Sequence, residues 1–231
     1  MFNQLIDIMQ GRGNILDLVV YIFATLLIIF LVLPFHEWAH AFAASKLGDT
    51  SIKYRGRLSL NPMSHIDYMG ALFLLLFGFG WAKPVPVDDR KFKNPKVGMA
   101  ITALAGPLAN IVAAMVGGLV FFAILTFAPQ FVLSKLGYYV MMTLEYYMVI
   151  NCSLAVFNLI PWPPLDGSKI LFAFLPDKWI YKFYQYQQIF FFALMAMLLF
   201  TNILDAPLNF LFSNVYQFVL NICSYPFQLF V

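Results

Sequence analysis

The chain has 231 residues, of which 62% are hydrophobic, 18% aromatic and only 11% charged. Soluble domains are about half apolar and about a quarter charged, so this balance excludes a water-soluble globular protein and predicts one packed in lipid. A formal net charge of +3, with the basic residues confined to loops between apolar segments, leaves no surface suited to nucleic acid.

The start, Met1 to Gln10, has neither the basic region nor the small-residue cleavage site of a secretory leader, so the first apolar run is expected to remain as a span. A helix crosses the roughly 30 Å hydrocarbon core with about 20 residues. Ile15 to about Ser45, Val97 to about Phe127 and Tyr138 to Ile160 all meet that length, and a fourth span is expected from about Gln188 to Leu204. The predicted fold is an all-α polytopic membrane protein of about four transmembrane helices.

Lys46 to Lys96 holds nine of the fourteen Lys and Arg residues around a ten-residue apolar insert, Ala71 to Gly80. The insert is too short to cross, so it is re-entrant or interfacial and both flanking loops share one side. With Lys169, Lys178 and Lys182 in the later loop, twelve basic residues lie there against Arg12 and Lys135 opposite. That asymmetry makes the side cytoplasmic and puts the N-terminus outside. Within the loop, Ser51 to Leu60 and Trp81 to Val87 read as extended, the second stiffened by Pro84 and Pro86, and predict a small β element.

The tail, Pro207 to Tyr225, places Asn209, Ser213, Gln217, Asn221 and Ser224 on one helical stripe and predicts a helix that spans or lies at the interface. Cys152 and Cys223 lack the spacing of a zinc knuckle or redox dithiol and read as packing residues. No internal repeat or low-complexity linker interrupts the chain, so residues 1–231 are expected to form a single domain.

The residues that carry chemistry are His36, Glu37, Trp38, Ala39 and His40. Histidines four apart sit on one helical face and can share a tetrahedral zinc, with Glu37 beside the open position as a base. Three ionisable groups at the end of an apolar helix are costly unless they pair or bind a metal, which weighs against a purely structural role. Counted from Leu16, His36 lies about 30 Å along the helix, near the cytoplasmic edge of the core.

A catalytic zinc needs one more protein ligand at that depth. The third span returns there at Asn158 to Asp166, where Pro161, Pro163 and Pro164 prevent a continuous helix and leave backbone that must line a cavity or be buried in protein. Asp166 is the natural third ligand and Asp67 the remaining rival; the other carboxylates lie in charged loops or nearer the outer face. His65 reads as a loop-fixing hydrogen-bond residue. Asn110, after Gly106 and Pro107, reads first as a helix-packing residue and alternatively as a substrate-binding amide brought toward the site. Glu145, an acid within the third span, is left unassigned.

The segments HEWAH (His36 to His40) and NLIPWPPLDG (Asn158 to Gly167) resemble the site-2 protease family of intramembrane zinc metalloproteases. Gly106 to Asn110 and Gly80 to Pro84 look like the small members of that family, without appended soluble domains, so the resemblance covers roughly Leu33 to Leu171. It implies one zinc ion held by His36, His40 and Asp166, Glu37 as general base, and Asn158 holding the substrate or developing oxyanion. The implied activity is hydrolysis of peptide bonds within or near transmembrane segments of membrane-protein substrates, as in regulated intramembrane proteolysis. The expected setting is a bacterial or archaeal cytoplasmic membrane, with the site near its cytoplasmic face. A substrate helix must unwind before attack, and an edge in Ser51 to Val87 is expected to pair with it.

Two other readings stand beside this one. A zinc or other metal-ion transporter is disfavoured because no inverted repeat is present and the ligands gather at one face. A catalytically inactive relative that binds membrane proteins is disfavoured by the intact Glu37.

Overall fold

The computed structural model describes residues 15–77 and 80–228. The expectations for Met1 to Asn14, among them Arg12 and the side on which the chain starts, lie outside the described residues. Helix α1 (Ile15–Leu27) runs through a π-helical turn at Ile28–Val32 into α2 (Leu33–Leu47). Pro34, in the first turn of α2, has no N–H to offer the preceding turn, and the backbone register widens just before it. Two short helices follow, α3 (Ser51–Tyr54) and α4 (Tyr68–Phe77), and then the long α5 (Pro95–Phe127). Helix α6 (Pro129–Val132) turns the chain into α7 (Lys135–Asn158), and α8 (Asp166–Phe172), α9 (Asp177–Gln185), α10 (Gln187–Phe200) and α11 (Asp205–Ser224) complete the order.

Three helical stretches are long and apolar enough to cross a membrane: the continuous Leu18–Leu47, α5 and α7. At 1.5 Å per residue they are about 36 to 50 Å long. The expected fourth span is a helix of only 14 residues, α10, about 21 Å long. Among the described residues, three such spans replace the expected four.

Helix α5 is the centre of the bundle, packing against α2, α7, α8 and α11. Its buried positions include Gly98, Ala103, Gly106, Ala109, Ala113, Ala114, Gly117 and Gly118. Helices in lipid gain little hydrophobic drive from meeting one another, so small residues that let backbones approach supply the packing. Gly117 lies against the Tyr147 ring of α7, and Gly118 against Cys223 of α11. Cys152 and Cys223 are buried together with Ala114 and Val219, in keeping with a packing role. The opposite stripe of α11, with Asn209, Ser213, Gln217 and Asn221, stays exposed.

The β element does not form: among the described residues there is no strand ladder. Ser51–Tyr54 is a helical turn. Trp81 to Val87 has no regular secondary structure, and its backbone is used otherwise: Lys83 N–H donates to the His65 carbonyl at 2.8 Å, Val85 N–H to Glu37 Oε2 at 3.1 Å, and Val87 N–H to the Val85 carbonyl at 3.0 Å. The alternate positions, Pro84 and Pro86, have no N–H, so the other edge has no donor there to start a ladder. The prolines that suggested an edge strand also remove the donors that a ladder on that edge needs.

One buried carboxylate fastens this loop to the bundle. Asp49, just past α2, accepts hydrogen bonds from Ser51 N–H and Oγ, from Asp88 N–H at 2.8 Å and from Lys91 Nζ at 3.1 Å. Burial alone would raise its pKa, but these donors outweigh burial and hold the carboxyl below its ordinary value. Val85 and Val87 meanwhile pack on Ala41, Ala44, Ile52 and Phe92. A depressed carboxylate pKa stabilises the fold above the unfolded-state value, about pH 4, and this contribution disappears as pH falls through the folded-state value. Hydrogen exchange at Asp88 and its neighbours should therefore accelerate below about pH 4, and Asp49→Asn should make it fast already at neutral pH.

Candidate metal centre

Helix α2 buries His36, Glu37, His40, Ala41 and Ala44 on one side. On its other side Phe35 stacks on Trp38 and Trp38 on Phe42, with centroids 5.8 and 5.1 Å apart. The two histidines, one helical turn apart, meet edge to face with Nε2 atoms 3.0 Å apart.

Asp166 arrives from the other end of the fold. After Asn158 the three prolines stop α7, and the irregular stretch is tied by Leu165 N–H to the Trp162 carbonyl and by the Trp162 indole to the Phe190 carbonyl. Asp166 then opens α8. Gly167 allows this: a Cβ there would come within 2.3 Å of the Leu159 carbonyl oxygen. The result places Asp166 Oδ2 3.2 Å from His36 Nε2 and 3.0 Å from His40 Nε2.

These three atoms are the one group of potential metal ligands among the described residues. Donors about 2.0–2.1 Å from a tetrahedral zinc lie about 3.3 Å from each other, so the observed spacing fits a zinc ion with little movement. The surroundings also fit. His40 Nδ1 donates to the Thr102 carbonyl at 2.7 Å, which leaves the Nε2 lone pair for the metal. Lys169 Nζ holds Asp166 Oδ1 at 3.0 Å, leaving Oδ2 to face the histidines.

Glu37 is buried beside the ligands, with Oε2 accepting the Val85 N–H. Asn158 is half-buried and donates one amide hydrogen to the Leu154 carbonyl at 3.0 Å. Asn110 is 1% exposed, and neither atom of its amide has a partner among the described residues. An unpaired buried amide costs about 1–3 kcal/mol, and this one lies a helical turn beyond Gly106, the residue that packs on both histidines. Asp67, the rival ligand, accepts the Gly70 N–H at 2.9 Å in the first turn of α4, apart from the cluster. His65 is fully buried and fixes its loop through Nε2 and the Ser59 carbonyl at 2.7 Å.

Four contributors were not anticipated as site residues. Gly106 packs directly on both histidines, where a Cβ would come within 2.4 Å of His40 Nε2. Thr102 acts through its backbone and Val85 through its N–H, neither of which a side-chain pattern reveals. Lys169 did leave a trace, three residues after Asp166 on a helix, where side chains meet.

Residues 24–201 match the model of Peptidase family M50. The chain belongs to peptidase family M50. Over 164 residues it is 37% identical to the Bacillus subtilis (strain 168) protein named "Putative zinc metalloprotease YwhC", covering 70% of this chain and 72% of that one. A protein of the same designation from Methanocaldococcus jannaschii is 33% identical over 141 residues, 59% of this chain and 63% of its own length. Rip2 of Mycolicibacterium smegmatis, likewise designated, is 28% identical over 141 residues, 59% of this chain and 51% of its own length. No solved structure matches the chain. As an M50 member with three helices apolar enough to span a bilayer, it is a membrane zinc metalloprotease.

Gly106→Ala tests the packing of the centre. The added methyl must displace His36 or His40, so zinc affinity, read by chelator competition on the purified protein, should fall about 10- to 100-fold while the helical content is kept.

Proposed function

We propose that this M50 protein is an intramembrane endopeptidase that cuts membrane-protein substrates within or near a transmembrane segment, in regulated intramembrane proteolysis. The observation that carries the reading is the convergence of His36, His40 and Asp166 within 3.2 Å at the end of a membrane-spanning helix, with Glu37 alongside. In this reading those three residues hold the zinc. The site's end of the bundle, which also carries the basic loops, faces the cytoplasm of a bacterial or archaeal cell, and the N-terminus lies outside.

When bound, the zinc ion acts as a Lewis acid that polarises a peptide carbonyl and acidifies a water molecule. The residues of the chain do the remainder. Glu37 takes the proton from the attacking water at its free oxygen and returns it to the leaving amine. The Val85 N–H holds the other carboxylate oxygen and so fixes the plane of the base. Lys169 keeps Asp166 turned toward the histidines. Asn158, anchored to Leu154 by one amide hydrogen, presents the rest of its amide to a substrate carbonyl, and the unpaired amide of Asn110 offers a donor and an acceptor to substrate backbone or water. A substrate helix must be unwound before its carbonyl is exposed, and the stretch from Pro84 to Pro86 has no free N–H donor for it, since its one N–H, that of Val85, is given to Glu37.

Glu37→Gln should leave zinc binding intact and reduce cleavage about a hundredfold to ten-thousandfold. Introduced into the native host, it should make uncut single-span proteins accumulate while their soluble products disappear from the membrane-protein mass spectrum. Identical proteomes with an expressed protein would defeat the reading and turn attention to zinc flux. Asp166→Asn should instead lower zinc content together with cleavage. Val85→Pro removes the N–H that holds Glu37 and also alters the side chain packed on the Phe92 cluster, so Val85→Ala, which keeps the N–H, is its control; cleavage by Val85→Pro should fall about tenfold below that control at unchanged zinc occupancy, through kcat rather than KM.

A further inference from the structure

Glu145 takes no part in the metal centre. It lies ten residues into α7, about 15 Å below the start of that helix, which is close to the middle of a hydrocarbon core about 30 Å thick. Its side chain is exposed rather than folded into the bundle, and no hydrogen bond or ion pair of its carboxylate is found among the described residues. The Tyr216 hydroxyl is near enough to feel the charge, yet a phenol cannot neutralise it. A carboxylate facing lipid at this depth is costly, and such residues are retained where a partner completes them.

The carboxylate opens into a cavity of about 470 Å3 between α5, α6 and α7, lined among others by Phe121, Leu125, Val132, Tyr138 and Met142. Apart from Glu145 the lining is apolar and aromatic. Methionine makes such a surface adaptable to an apolar occupant of irregular shape. One wall carries a single negative charge, so the fitting occupant is apolar with a single positive charge at that level.

This chain cannot supply that charge from a second copy of its membrane-embedded helices. Between Val97 and Ser168 the only basic residue is Lys135, at the end of α7; from Phe183 to Val231 there is none; and in Ile15 to Ser45 there are only His36 and His40, which are held in the metal centre. Lipid amines stay at the headgroups, about 15 Å away. A transmembrane helix of another protein can carry a Lys or Arg to mid-depth.

We propose that the groove around Glu145 is a docking site for a membrane-spanning helix of a different protein that carries a Lys or Arg near the bilayer centre. The occupant lies along α5 and α7, covers the apolar wall and pairs its cation with Glu145. The site is separate from the zinc ligands and stands whether or not the docked helix is itself cut.

The test uses the full chain in phosphatidylcholine nanodiscs and synthetic single-span Leu/Ala helices labelled for energy transfer. One probe has Lys at its central position, one has Leu there, and one has Lys near its end. The central-Lys helix should bind about tenfold more tightly than the other two. Glu145→Gln should erase that preference, and Glu145→Lys should transfer it to a probe with central Glu. Zinc binding, measured in parallel, should be the same in all three proteins and reports that they are folded. Equal binding of the central-Lys and Leu probes, a preference that survives Glu145→Gln, or equal binding of the end-Lys probe through charge at the lipid surface would each overturn the proposal.

Discussion

Three lone-pair donors within 3.2 Å of each other, almost shut off from solvent, repel unless a cation or shared protons lie among them. Much of the chain around the centre is arranged to impose that unfavourable meeting. Helix α2 must continue past Pro34 as a regular helix so that positions 36 and 40 share a face. Helix α5 must pass so close that only a glycine fits at 106. The third span must stop at Asn158 and reopen as a new helix at Asp166. Each feature is unhelpful to a plain helical bundle, and together they make a site for a divalent ion.

The centre is rigid because its parts hang on helices and their backbone groups. Thr102 orients His40 from the main chain of α5, and Lys169 orients Asp166 from within α8. Such outer contacts decide which atom of each ligand faces the metal. Since α5 touches both α2 and α8, a disturbance of its small-residue stripe reaches the helices that carry the two histidines and Asp166.

The loop between α2 and α5 is fastened beside the ligand cluster as well as to the fold. Asp49 secures it at Asp88 and Lys91, the apolar cluster around Phe92 receives Val85 and Val87, and the His65 carbonyl receives Lys83. The N–H of Val85 reaches Glu37 only because these fastenings set the height of its segment.

Membrane residence, the three long helices, the His36/Glu37/His40 unit and the polyproline break before Asp166 were all legible in the sequence, because each depends on contacts or periodicities within a few residues. Helix length and topology narrowed the third position to Asp166 with Asp67 as its rival, and the structure brings Asp166 beside both histidines. The β element was misread because alternation in Trp81 to Val87 describes an extended backbone and says nothing of whether its N–H groups are free. A fourth span was expected from the apolar run Ile189 to Phe200 and its flanks, while the helix itself covers only 14 residues. Gly106, Thr102 and Val85 were out of reach for a different reason. They act by where a backbone passes relative to residues 48 to 70 positions away in the chain, and only the packing of α5 and the loop against α2 decides that distance.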